Sequence, residues 1–218
     1  MKEKLFNTGY IRSPPDERDF PLQAILSTTK SLPKVVKLPA PPFILDQGST
    51  PQCVGYTGAG IINAYLSHLG IRDDVDPTAL YNRCKELDEI PTMDGTYPRI
   101  ALKVMQKEGI PSKSNPNKKY KIRAYARLTG VQEVKQALAD GKYVFIGTLV
   151  TSDNWMKRAK EKGFLGMPEG YFLGGHATWL WGYDELLIEE FVGYLNGVNS
   201  WGEGWGDKGK FYMPFDYV

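Results

Sequence analysis

Cysteine and histidine are both scarce in this chain, with two of each in 218 residues. Cys53 and Cys84 are too few for a disulfide framework, and one incidental pair is not expected in a reducing compartment. Together with His68 and His176 they show none of the short spacings of zinc ligands, so no cofactor is expected. An excess of one charge is also missing. The 27 basic and 25 acidic residues leave no field for electrostatically driven nucleic-acid binding. No apolar run approaches the ~18 residues of a membrane span. Met1 to Asn7 lacks the apolar centre of a secretory signal. The expected partners therefore include neither nucleic acid nor membrane, and the expected location is cytoplasmic.

What is present is a globular composition, 42% hydrophobic and 12% aromatic, in a length that suits one domain or one domain of two lobes. The chain opens on an extended arm over residues 1–31. Arg12 to Pro21 holds three prolines and five charges, and proline restricts itself and its predecessor to extended backbone. Helical spacing begins near Cys53, with Val54, Ile61, Ile62, Tyr65, Leu66 and Leu69 on one pattern. Thr50 is the expected cap, Pro51 the first helical residue and Gly70 the stop. Gly55, Gly58 and Gly60 weaken this helix unless something packs closely against it. Further helices are expected over Pro77–Leu87, capped by Asp76, over Tyr97–Glu108 and over Val131–Ala139. A β-rich run, Lys142–Val150, follows. Of the 23 glycines, 14 lie between residues 141 and 210, interleaved with aromatic and β-branched residues, which predicts short strands and tight turns. A helical half followed by a β half is an α+β pattern.

Three segments carry chemistry: Asp46 to Cys53, Gly174-Gly175-His176-Ala177, and Asn199 to Gly206. They supply a thiol, an imidazole and an amide in one order used by cysteine nucleophiles. Cys53 near a helix N-terminus gains from the dipole and free N–H groups, which favour a thiolate. Gln47, six residues upstream, is placed to offer an N–H beside the Cys53 backbone N–H to an oxyanion. His68 cannot serve as the base, because fifteen residues along the same helix is about 22 Å. Cys84 reads as structural. The cationic stretch from Lys113 to Arg127 reads as a solvated loop.

Together these segments resemble the papain-like cysteine peptidases. Gln47-Gly48 with Cys53, Gly95-Thr96-Tyr97-Pro98, Gly175-His176-Ala177 and Asn199-Ser200-Trp201-Gly202-Glu203-Gly204-Trp205-Gly206 carry the likeness, which runs from about Pro33 to Met213. The resemblance implies an α+β fold of two lobes, one helical (about 47–112) and one β-barrel-like and antiparallel (about 120–218), with the active-site cleft between them. These form one peptidase domain over 32–218. It implies Cys53 as nucleophile, His176 as general base and acid, Asn199 as the group orienting His176, and Gln47 in the oxyanion hole. Gly95, Thr96, Gly174 and Gly175 would border an extended peptide or protein substrate. Tyr97 and Pro98 would line the pocket for the second residue before the cut, and Trp201 would shield the His–Asn contact and also border the substrate.

The sequence departs from the family in having Val54 where a Trp is usual, Thr50 where a disulfide-bonded Cys is common, Gln52 for a small residue, and Gly175 before the His. These departures look like a cytosolic microbial or viral branch. Two other functions use the same residues or none of them: acyl transfer or peptide ligation through the same triad, and a catalytically silent binding protein. The 31-residue arm is too short for a core of its own. It either enters the cleft as an internal ligand or packs behind the lobes as structural trim, with the balance slightly toward trim.

Overall fold

The computed structural model describes residues 8–17, 19, 21, 31–188 and 191–218. Three helices build the first lobe: α1 (Cys53–His68), α2 (Pro77–Lys85) and α3 (Pro98–Lys107). α2 begins as its sequence predicts, with the Asp76 carboxylate accepting from the Thr78 and Ala79 N–H groups and Pro77 at the first position. α1 differs from expectation. Its N-cap is Gln52, and Cys53 is its first residue, not its third. Thr50 is diverted from capping because its hydroxyl donates to the Gln47 carbonyl, 2.7 Å away, and so closes the preceding turn. The glycines of α1 are sites of close approach. A Cβ at Gly55 would lie 2.5 Å from the Pro77 carbonyl, and one at Gly60 would lie 2.7 Å from the Trp179 indole nitrogen. α1 therefore sits centrally, between α2 and the second lobe.

The second lobe is an antiparallel five-stranded sheet of β1 (Val35–Lys37), β4 (Val144–Thr151), β5 (Phe172–Ile188), β6 (Phe191–Val198) and β7 (Lys210–Pro214). The long strand β5 organises it. β4 and β1 pair along successive parts of one edge of β5, and β6 pairs along the other and carries β7. A small ribbon, β2 (Ile110–Pro111) with β3 (Lys119–Tyr120), closes the helical lobe, and α4 (Val131–Ala139) packs on the sheet. Between β4 and β5 the glycine-rich pattern predicts only short strands and turns. The chain nevertheless makes a π-helical turn, Asn154–Arg158, that runs into α5 (Ala159–Lys162).

Each lobe has its own apolar cluster. One gathers Trp155, Leu180, Leu195, Trp201, Trp205, Phe211 and Met213. The other gathers Cys53, Ile62, Leu66, Leu80, Val104, Met105 and, from β5, Ala177. Ile61, Ala64, Trp179 and Val198 join the two. Among the described residues, no helix is long and apolar enough to cross a membrane.

Candidate active site

The thiol and the imidazole come from different lobes, brought together by packing of α1 against β5. Cys53 opens α1. His176 lies on β5 opposite Thr148 of β4, and the backbone N–H of the next residue, Ala177, donates to the Cys53 sulfur at 3.4 Å. Asn199 follows the end of β6. Its side-chain oxygen accepts from the Ser200 backbone N–H at 2.7 Å and meets His176 Nε2 at 2.8 Å. A backbone N–H can only donate, so the atom facing it must be Oδ1, and His176 Nε2 must therefore carry the proton in that contact. That leaves Nδ1 as the basic nitrogen. It is buried, with no hydrogen-bond partner among the described residues.

The imidazole is enclosed by aromatic rings. Trp201 stacks on its face with ring centroids 4.6 Å apart, and Trp155 meets its edge at 5.8 Å. Trp201 is only 1% exposed. Of the two places its sequence suggested, the cover over the His–Asn pair matches this burial, and a surface for substrate does not. Trp155 was not foreseen. It reaches the site from the π-helical turn and stacks with Trp205, which was recognised only as part of a motif.

Gln47 is held at both ends of its amide. Ser200 Oγ donates to Oε1 at 2.6 Å, and Nε2 donates to the Thr50 carbonyl at 2.7 Å. The first bond fixes the NH₂ on the side of the turn leading to Cys53, where an amide with two hydrogens can serve a second acceptor. Ser200 is thus a further site residue, and nothing in the sequence separated it from its motif neighbours. Cys84 lies inside the helical lobe, and burial pushes its thiol up to about 12. His68 is exposed at the far end of α1.

Gly95 and Thr96 are buried, on a loop pinned by one amine. Lys85 Nζ donates to the carbonyls of Ile90, Met93 and Gly95 at 2.9–3.1 Å and pairs with Asp88 at 2.8 Å. Gly174 and Gly175 face this loop across the cleft, and between them lies the N-terminal arm. Thr96 N–H donates to the Gly9 carbonyl at 3.0 Å, Ile11 N–H to the Thr96 carbonyl at 3.2 Å, and Tyr10 N–H to the Gly175 carbonyl at 3.0 Å. A Cβ on Gly174 would overlap Thr8, and one on Gly9 would overlap the Pro51 carbonyl. Beyond the cleft, Arg99 holds the arm. Its guanidinium grips both oxygens of Asp19 at 2.5–2.8 Å and donates to the Pro14 carbonyl. Residues 8–11 thus lie in the cleft, and Ser13, Pro14 and Asp19 are held outside it by Arg99.

Burial under the arm reverses the expected electrostatics. Cys53 and His176 are both 0% exposed. Desolvation pushes the Cys53 thiol up to about 11, although the N–H groups of Ala177, Gly9 and Val54 pull it back toward ionisation. Desolvation also lowers the imidazole to about 4, against the raising effect of the Asn199 bond. The helix dipole and the free N–H groups at the start of α1 predict a favoured thiolate. With the cleft covered, loss of water outweighs both, and the neutral thiol–imidazole pair is favoured.

No protein-family model matches the chain. An uncharacterized peptidase C1-like protein of Acanthamoeba polyphaga mimivirus is 27% identical over 266 residues, covering 97% of this chain and 82% of the relative. Among solved structures, xylellain, a cysteine protease from Xylella fastidiosa, superposes with a TM-score of 0.82 at 24% identity, covering 100% of this chain and 92% of its own. A procathepsin B from Trypanosoma congolense reaches 0.76 at 20% identity, over 96% and 81%. A digestive procathepsin L2 from Tenebrio molitor larval midgut reaches 0.73 at 18%, over 99% and 76%.

Proposed function

The chain belongs by fold to the papain-like cysteine peptidases, and we propose that it hydrolyses peptide bonds through a thioester acyl-enzyme formed on Cys53. The observation carrying this reading is that Ala177 N–H donates to the buried Cys53 sulfur, while His176, its chain neighbour, is buried and has Nε2 fixed by Asn199. When the cleft opens and water returns, the Cys53 proton passes to His176 Nδ1. The thiolate adds to the substrate carbonyl, and the negative charge moves to oxygen. Gln47 Nε2–H and the Cys53 backbone N–H stabilise that oxyanion. As the C–N bond breaks, the imidazolium returns its proton to the leaving amine. His176 then takes a proton from water, hydroxide adds to the thioester, and collapse releases the acid and restores the thiol. Asn199 keeps the ring oriented throughout, and Trp201 keeps water from the bond that does so.

The same proposal assigns residues 1–31 to an internal inhibitor and 32–218 to the peptidase domain, with lobes at about 47–112 and 120–218. Its support is that Gly9 turns an N–H, not a carbonyl, toward the Cys53 sulfur. The arm fills the cleft without offering a bond to cut. Labelling with a thiol-directed epoxide tests the catalytic assignment. Modification should require Cys53 and persist in Cys84→Ala. Labelling that survives Cys53→Ala and disappears in Cys84→Ala rejects it. Product analysis with an added amine separates hydrolysis from acyl transfer.

A further inference from the structure

Arg99 is the second residue of α3, at a helix start without acceptors of its own. The N-cap, Tyr97, offers no side-chain bond to the free N–H groups, and the first turn carries no acid. The N-terminal arm supplies what is missing. Ser13 Oγ accepts from the Arg99 backbone N–H at 3.3 Å, and the Pro14 carbonyl accepts from one guanidinium nitrogen at 2.5 Å. Asp19 closes a fork on the other two nitrogens at 2.5–2.8 Å. A second cation faces the same carboxylate. Arg127 lies 3.7 Å from Asp19 Oδ2, and its backbone runs beside the arm at Pro21. Arg127 ends the cationic stretch that reads from the sequence as a solvated loop. Tyr125 borders the group, its phenol pushed up by burial and by the Asp19 charge, against the lowering by Arg99.

All of these acceptors belong to one segment of chain. When it leaves, a helix N–H, a guanidinium fork and a second guanidinium remain together, and that set of donors complements a carboxylate. The arm also shows how far this group stands from the nucleophile. Gly9 lies at the Cys53 sulfur and Ser13 at Arg99, and four extended residues span about 13 Å. Tyr10 and Ile11 cover that distance past Thr96, on the side where the resemblance sets the residues before the cut. We propose that Arg99 and Arg127 form a carboxylate subsite of the substrate cleft, and that the preferred substrates are peptides with aspartate or glutamate at the fourth or fifth residue before the scissile bond. Asp19 occupies this subsite in the covered chain. The inference rests on the catalytic reading of Cys53.

The test uses the full chain carrying Gly9→Ala and Asp19→Asn, which loosen the arm in the cleft and vacate the two arginines. The probes are peptidyl vinyl sulfones that differ only in having Glu or Gln at the fourth or the fifth residue before the sulfone. Cys53 modification is expected to be roughly tenfold faster with Glu than with Gln at one of these positions, the effect of one charge-assisted bond. Arg99→Gln should abolish the preference, and Arg127→Gln should reduce it. Either substitution also weakens the hold on the arm, so the ratio of the two reagents, and neither rate alone, reports the subsite. The Arg127 side chain is 52% exposed, and its variant carries the test should Arg99→Gln misfold by circular dichroism. A Glu-to-Gln ratio near one, or a ratio that survives Arg99→Gln in a folded chain, overturns the inference. Iodoacetamide, which carries no side chain for the subsite, keeps the two readings apart. If it fails to alkylate Cys53 even with the arm loosened, the catalytic assignment falls. Alkylation with equal Glu and Gln rates removes only the carboxylate subsite.

Discussion

Gly9 and Pro51 touch so closely that no side chain fits between them: a Cβ on Gly9 would overlap the Pro51 carbonyl and approach its Cα to 3.1 Å. Pro51 lies two residues before Cys53, so the arm crosses directly over the segment that leads into α1. Gly9→Ala should therefore evict residues 8–11 while leaving the catalytic groups untouched. Iodoacetamide alkylation of Cys53 at neutral pH is expected to rise at least about tenfold, the effect of shifting an occupancy by about 1.4 kcal/mol. An unaltered rate, with the variant folded, would show that the arm does not limit access.

The pH dependence of that reaction should differ between the two chains. In the covered native site the thiol is raised to about 11 and the imidazole lowered to about 4. The neutral pair therefore prevails between those values, and alkylation should climb steadily as pH rises toward about 11. In Gly9→Ala, water returns, and the rate should instead reach a plateau in the neutral range as the thiolate–imidazolium pair forms. Folding stability follows the same shifts. The unfolded imidazole gains its proton near 6.5, before the folded one, so stability is full above that value and is lost as pH falls through about 4. The unfolded thiol ionises near 9.0, before the folded one, so stability declines again as pH rises from there. Thermal melts across pH check both limbs.

Arg99 anchors the arm outside the cleft through a bidentate pair with Asp19, in which both side chains are about 15% exposed or less. Arg99→Ala should loosen the arm by about 1–3 kcal/mol, the range for a charge-assisted bond. The result is faster Cys53 labelling without a direct change at the site. Asp19→Ala should act in the same direction. The two effects should fail to add in a double variant, because each removes the same contact.

Asn199→Ala should reduce activity less than Cys53→Ala or His176→Ala. In the proposed mechanism the amide only orients the ring, whereas the thiol and imidazole exchange bonds and protons. Steady-state rates on a peptide substrate check this. Equal losses in all three folded variants would remove Asn199 from its role.

Lys85→Met should disturb the loop carrying Gly95 and Thr96. The amine leaves three carbonyls without their donor and the fully buried Asp88 carboxylate without its cation. A loss of about 3 kcal/mol is expected from breaking such a buried pair. KM should rise more than kcat falls if the loop binds the peptide, as proposed, and stands apart from Cys53 and His176.

Local rules read well from the sequence where one residue's chemistry decides the outcome. Asp76 with Pro77 starts a helix, Val131–Ala139 is helical over the expected span, and glycines in α1 accompany tight packing. The π-helical turn at Asn154 escaped because its support is Trp155 stacked among Trp201, Trp205 and Phe211, all contacts with the last third of the chain. The cap of α1 was misread because the Thr50 hydroxyl had a competing acceptor at Gln47.

The sequence by itself determined the α+β character and the set of chemical groups, because periodicity, glycine density and side-chain type are local properties. Tertiary structure alone decided the tautomer of His176, through the Ser200 N–H that orients Asn199, and the protonation of Cys53, through burial. It also decided where Arg12's neighbours run. Proline made the arm extended, but its course over Pro51, Thr96, Gly147 and Gly175 is set by contacts between residues more than forty positions apart, and an extended chain forms those only once both lobes have folded around it.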